Sequence, residues 1–183
     1  MKTTALPVLA GLFGLVSACA RGEPAPPPKL ESSLGDEVDR GIELYEKRQY
    51  AEAVTVLERA VQTSEGDSRA WEYLGLARLQ LNRVDESRNA FQRALELDEH
   101  SANAYFGLGL ADGHSGELQE SIQKLKRAVE LDPSHAYAHY HLGLAYNAAG
   151  KPDLTLLHLN RFLELAPEAP EAGQVRDLVS RLR

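Results

Sequence analysis

Few residues in this chain have types and spacings that could do chemistry. His135, His139 and His141 lie close together, and the first two would share a face if residue 135 is helical, an arrangement that could ligate a metal. No cysteine accompanies them, and His135 follows Pro133 at a junction. His139 occupies a position that Trp71 and Tyr105 fill elsewhere, so packing accounts for it and no metal or other cofactor is expected. His114 and His141 could instead make a surface respond to pH. The carboxylates Glu52, Glu58, Glu86, Glu96, Glu120 and Glu130 recur on amphipathic segments, where a solvated face is the default. The sequence contains no Gly-rich phosphate loop, no G-x-S-x-G and no H-E-x-x-H, so neither an enzyme nor a small-molecule substrate is expected. The only cysteine, Cys19, has no partner for an internal disulfide and stands between an apolar run and a proline-rich stretch.

The bulk composition narrows the classes further. A chain of 183 residues, 43% hydrophobic and 26% charged, can bury one sizeable core. The formal charge of −7 becomes −8 without residues 1–18, which hold Lys2 and no acid; such a body repels phosphate backbones, and no nucleic acid is expected. Lys2 precedes the apolar run Ala5–Val16, which is too short to span a bilayer comfortably and reads as the core of a signal peptide. Val16, Ser17 and Ala18 before Cys19 resemble the lipobox of bacterial lipoproteins. That resemblance implies a signal peptide over 1–18 and acylation of Cys19, and several acyl chains would hold the protein stably on a membrane. Ala20 after the cysteine, in place of Asp, resembles the default for export to the outer membrane of Gram-negative bacteria. Two other readings stay open: ordinary secretory cleavage after Ala20, and a buried, unprocessed helix. Pro24, Pro26, Pro27 and Pro28 make residues 19–33 a linker, with a reach on the order of 40 Å at about 3.1 Å per residue. A recognition site for a proline-binding domain is its alternative.

From Leu34 onward the chain repeats. Gly41, Gly75, Gly109 and Gly143 align with a constant period of 34 and no gaps, giving units 34–67, 68–101, 102–135 and 136–169. Each unit reads as an apolar helix, a short turn and a second amphipathic helix; the turns fall at Arg48-Gln49, Asn82-Arg83, Ser115-Gly116 and Gly150-Lys151. The eighth position is always Gly, and the twentieth is Ala53, Ser87, Ser121 or Thr155, small residues that let two helices approach closely. A helical Gly costs about 1 kcal/mol relative to Ala, so its recurrence at one phase points to packing. Leu57, Phe91, Leu125 and Leu159 form the bulky twenty-fourth position. The twenty-seventh is Ala60, Ala94 and Ala128 but then Phe162, which predicts a different neighbour for the last unit. Residues 170–183, with Val175, Leu178, Val179 and Leu182 on one face, supply it as a capping helix. Glu37 and Arg40 give the first unit a polar outer face; the rival view is that this unit does not fold as a repeat.

The period and residues, best in Ala70–Asp98, resemble the tetratricopeptide repeat. The resemblance implies an all-α superhelical stack of four helix-turn-helix repeats plus the cap, whose first helices line a concave groove. Family positions carried across place Val38, Ile42 and Tyr45 in that lining, then Glu72, Tyr73, Leu76 and Leu79. The third unit adds Asn103, Phe106, Leu110 and His114, and the fourth Tyr137, Tyr140, His141, Leu144 and Asn147. Leu76, Leu110 and Leu144 could equally pack between repeats, whereas Tyr73, Phe106, Tyr137 and Tyr140 differ in phase from the core. Val38, Ile42, Glu72 and Tyr73 stand where carboxylate-clamping members of the family carry Lys and Asn, so an apolar segment, helical or extended, is the expected ligand.

The combined expectation is a tetratricopeptide lipoprotein, anchored at the periplasmic side of the outer membrane, that serves as scaffold or assembly adaptor for a peptide or helix of an envelope protein. It resembles pilotin-type lipoproteins of pilus and secretion systems and repeat lipoproteins that bring cell-wall hydrolases to proteases. A self-associating structural element and an unanchored periplasmic binding module are the alternatives.

Overall fold

The computed structural model describes residues 34–63 and 66–183. The lipobox, Cys19 and the proline-rich linker lie outside the described residues. Nine helices follow in order among those described: α1 (Leu34–Glu46), α2 (Tyr50–Thr63), α3 (Ser68–Gln80), α4 (Val84–Leu97), α5 (Ala102–His114), α6 (Leu118–Leu131), α7 (Ala136–Ala148), α8 (Pro152–Leu165) and α9 (Ala172–Leu182). None of the described helices is long and apolar enough to cross a membrane.

The first eight helices pair as antiparallel hairpins, and one backbone device closes each pair. Arg48, Asn82, Gly116 and Gly150, at the same position of successive units, all adopt positive φ between 60° and 79°. The next residue's N–H then donates back to a carbonyl five residues earlier: Gln49 to Leu44, Arg83 to Arg78, Glu117 to Asp112 and Lys151 to Tyr146, at 2.9–3.0 Å. A left-handed residue followed by this bond is the Schellman arrangement, which satisfies carbonyls a helix end leaves bare and turns the chain back. At the other ends, Asp67, Ser101 and His135 cap α3, α5 and α7 by accepting from the N–H of Arg69, Ala104 and Ala138. Pro133 and Pro167 stand just beyond α6 and α8.

Within a hairpin, contact is close because the glycines leave room. A Cβ at Gly41, Gly109 or Gly143 would lie 2.5–2.7 Å from the side chain of Leu57, Leu125 or Leu159. At Gly75 it would lie 2.7 Å from the Phe91 ring. Ser121 ties one such approach, donating to the Gly109 carbonyl at 2.7 Å. Ala60, Ala94 and Ala128 are fully buried between units. Phe162 takes their place in the last unit, and α9 covers it with Val175 and Val179, both buried. The larger side chain thus fills the gap between the last hairpin and a single helix, and the stack ends on the polar outer face of α9. The first unit folds as a hairpin like the rest, with Val38 and Leu57 fully buried in a core shared with α3. Ion pairs staple neighbouring hairpins: Arg78 to Glu58 at 2.9 Å, and Arg88 to Asp112 at 2.9 Å and Glu117 at 2.7 Å.

Candidate functional site

Adjacent hairpins bring α1, α3, α5 and α7 side by side, and those first helices wall an open trough of about 420 Å³. Its lining is Tyr45, Glu72, Tyr73, Leu76, Gln80, Asn103, Phe106, Leu110, His135, Tyr137 and His141. The aromatic rings form a chain along the wall. Tyr45 meets Tyr73 edge-on at 5.6 Å between centroids, Phe106 lies 4.7 Å from His135 and 5.6 Å from His141, and Tyr140 lies 4.9 Å behind His141. Tyr137 is 40% exposed, and its hydroxyl donates to Glu171 at 3.2 Å. Burial raises the phenols of Tyr45, Tyr73 and Tyr137 above their ordinary range, so they remain neutral donors. Burial pushes His141 down to about 4, which keeps it uncharged near neutrality.

Glu72 is the one carboxylate in the lining, and no lysine or arginine joins it there. Only 5% of it is exposed. Its Oε1 accepts from Ser101 Oγ at 2.6 Å and its Oε2 from Asn103 Nδ2 at 3.2 Å. Burial is the larger influence and raises its pKa, while these two hydrogen bonds pull the other way. Ser101 is also the α5 cap: its oxygen takes the Ala104 N–H and its own proton goes to Glu72. A hydroxyl accepts and donates through one oxygen, so the serine at this junction couples the start of α5 to the carboxylate, which an ionised, acceptor-only carboxylate such as Asp67 could not do at its own junction.

Of the residues expected in the groove, Tyr45, Glu72, Tyr73, Leu76, Asn103, Phe106, Leu110, Tyr137 and His141 come together in the trough. The others do not. Val38 is 0% exposed and Leu79 is likewise buried, both within the stack. Ile42 packs half-buried against that core. His114 lines a separate cleft beside Leu118 and Leu125, against the back of His141. Tyr140 and Leu144 border a hollow closed by Gln174, Val175, Leu178 and Arg181, because α9 occupies the place a fifth hairpin would take. Asn147 is exposed at the end of α7 and lines no part of the trough. Gln80 and His135 join the lining from outside the expected set. Gln80 lies one turn beyond Leu76, a spacing that puts both on one face and could have revealed it; His135 reaches the wall because it is the cap of α7, a role the residue type does not advertise.

Two of the three clustered histidines, His135 and His141, flank Phe106 in the trough, and His139 turns away from them. His135 caps, His141 faces the trough, and His139 stacks on His158 with Nδ1 atoms 3.0 Å apart. The Nε2 of His139 faces the Pro133 carbonyl at 3.2 Å and must donate to it, so its Nδ1 accepts from the Nδ1–H of His158. Both nitrogens of His139 are committed to packing.

A row of equivalent helical hairpins with one shared inner wall defines a helical-repeat scaffold. Family models described as tetratricopeptide repeat match residues 38–102, 74–128 and 137–169, and one described as TPR repeat matches 114–150. The chain belongs to the tetratricopeptide-repeat family. Among solved structures it is similar to TTC0263, a thermophilic TPR protein of Thermus thermophilus, at 22% identity over 82% of this chain and 81% of that one, with TM-score 0.68. MamA from Desulfovibrio magneticus RS-1 shares 23% identity over 76% and 79%, with TM-score 0.62. YrrB, described as a TPR protein with an unusual peptide-binding site, shares 24% over 79% and 75%, with TM-score 0.61. These likenesses show the fold. A search of curated proteins returned no match.

Proposed function

We infer that this protein is an interaction scaffold whose trough holds a peptide or helical segment of a partner protein, and that Cys19 tethers it by lipid to the periplasmic side of the outer membrane, where it acts in envelope assembly. The observation that carries the binding role is the trough itself: phenol, phenyl and imidazole rings on its wall are half-buried, or in Tyr137 exposed, instead of sealed in the stack. Tyrosines with apolar bodies and polar tips suit a surface that is wet when empty and dry when filled. A peptide-binding site in YrrB, which has the same architecture, supports the reading. The anchor rests on the lipobox-like Val16–Cys19 and the proline-rich spacer behind it.

Two experiments in cells test the two halves separately. A photoreactive residue at Tyr73, on the trough, should capture a defined protein, whereas one at Asn147, outside it, should not. Equal or absent capture at the two sites overturns the binding role. Cys19→Ser should move the protein from the membrane fraction to the soluble one; an unchanged distribution overturns the anchor and leaves the binding role standing.

A further inference from the structure

Glu72 is out of keeping with the wall around it. Among the described residues one other carboxylate is as buried, Asp112 at 5% exposed, and it has a cation, Arg88, at 2.9 Å. Glu72, equally buried, has none among the described residues; its partners are a hydroxyl and an amide. A buried carboxylate with neutral partners is tolerated at a cost that a cation would relieve, provided the cation arrives without much water. Four oxygen lone-pair positions are available on a carboxylate, and Ser101 and Asn103 occupy only two of them. Around the trough stand Tyr73, Phe106 and Tyr137, whose ring faces attract a cation. The acids nearby reinforce the sign, since Glu46 acts on Tyr73 and Glu171 on Tyr137 and His141. One cation, Arg69, stands three residues before Glu72 in the first turn of α3 and feels its charge, but its guanidinium pairs with Asp67 instead.

We propose that the partner segment carries a lysine or arginine side chain that enters the trough between the aromatic rings and pairs with Glu72. This deepens the peptide-binding reading and rests on it. The ammonium or guanidinium donates to the free lone pairs of Glu72, its aliphatic stem lies against Leu76 and Phe106, and the flanking apolar residues of the segment cover the remaining rings. Ser101 and Asn103 are positioning residues: they hold the carboxylate in one orientation before the cation arrives.

The test is selection from a random twelve-residue peptide library displayed on phage, against the full chain and its Glu72→Gln variant. A basic residue should be enriched at one fixed place among apolar neighbours with the wild type and lost with Glu72→Gln. For a synthesised selected peptide, replacing that basic residue by norleucine should weaken binding to the wild type at least about tenfold by fluorescence anisotropy, a measurement that needs no protein variant. Peptides that need Tyr73 and Phe106 yet show no basic preference overturn the cation and leave the trough as a binding site. No selection at all overturns both. A dimer that Glu72→Gln dissociates in sedimentation would assign the cation to a second copy and overturn the partner.

Discussion

Phe91 shows how one side chain can differ from its equivalents when a neighbour compensates. Leu57, Leu125 and Leu159 hold the same place in the other hairpins, each against the glycine of its own first helix. Phe91 is larger, and it is accommodated by a second glycine: a Cβ on Gly107, midway along the first helix of the next hairpin, would overlap its ring. In the units on either side the residue at the phase of Gly107 is Tyr73 or His141, both in the trough lining. The pair Phe91 and Gly107 therefore trades a trough side chain for a filled interface between hairpins. Gly107→Ala should destabilise the protein by about 1–3 kcal/mol, the usual scale of overpacking. In a Phe91→Leu background the same change should cost much less, because Leu leaves the space. Urea unfolding of the two single variants and the double variant measures the coupling; equal cost of Gly107→Ala in both backgrounds would remove this explanation.

At the scale of the helix and its turn, the four hairpins use one backbone conformation with residues of unequal suitability. Gly116 and Gly150 enter the left-handed region without a Cβ, and Asn82 tolerates it, but Arg48 adopts φ 60° with a full side chain. A left-handed conformation costs an ordinary residue roughly 1–2 kcal/mol, partly offset on replacement because Gly loses more freedom on folding. Arg48 is exposed, so its side chain supplies no burial to lose. Arg48→Gly should raise stability by about 0.5–1 kcal/mol in urea unfolding, and Gly116→Arg should lower it by a similar amount; a loss from Arg48→Gly would show that the turn is not the source of strain. These turns were legible in the sequence at the right places, since the 34-residue period and the phased glycines follow from how closely two helices must approach. Trough residues were legible wherever the repeat phase alone decides which way a side chain faces, as for Tyr45, Tyr73, Phe106 and Tyr137. The phase failed where the environment differs from repeat to repeat. Tyr140 and Leu144 meet α9 instead of another hairpin, and Val38, in the first unit, turns into the core it shares with α3. Glu72 could be placed on the wall, but its burial depends on Ser101 from the next unit, a contact across 29 residues that no local pattern displays.

Over the whole molecule, the uncharged, partly buried histidines link stability to pH. His158, on α8, is pushed to about 4 by burial and then by His139, and it is stacked between His139 and Tyr146. Lys151 lies over the other end of that group at 5.8 Å from the Tyr146 ring, and Arg161 bears on His139 with the same sign, while Asp132 opposes them. His141, on α7, is pushed to about 4 by burial; His114 and His135 add to the effect, and Glu171 opposes it. A histidine whose folded pKa lies below its ordinary 6.5 gives stability that is fully present above pH 6.5. As pH falls from 6.5 towards 4 the unfolded chain takes up protons that the folded chain refuses, and that stability is lost. Glu72 acts in the opposite sense, because a carboxyl raised by burial favours the folded state on the acid side and loses that contribution as pH rises through its folded pKa. His135 and His139 are lowered by burial as well, so four histidines act against this one carboxyl as pH falls from 6.5 to 5. The urea midpoint should therefore drop on going from pH 7 to pH 5. His158→Gln should flatten that drop in part while retaining a hydrogen bond to His139, and Glu72→Gln should steepen it slightly. A midpoint that stays constant from pH 7 to 5 would mean that the histidines accept protons within the folded stack, and a cluster that opens locally on protonation would then replace the rigid one described for α7 and α8.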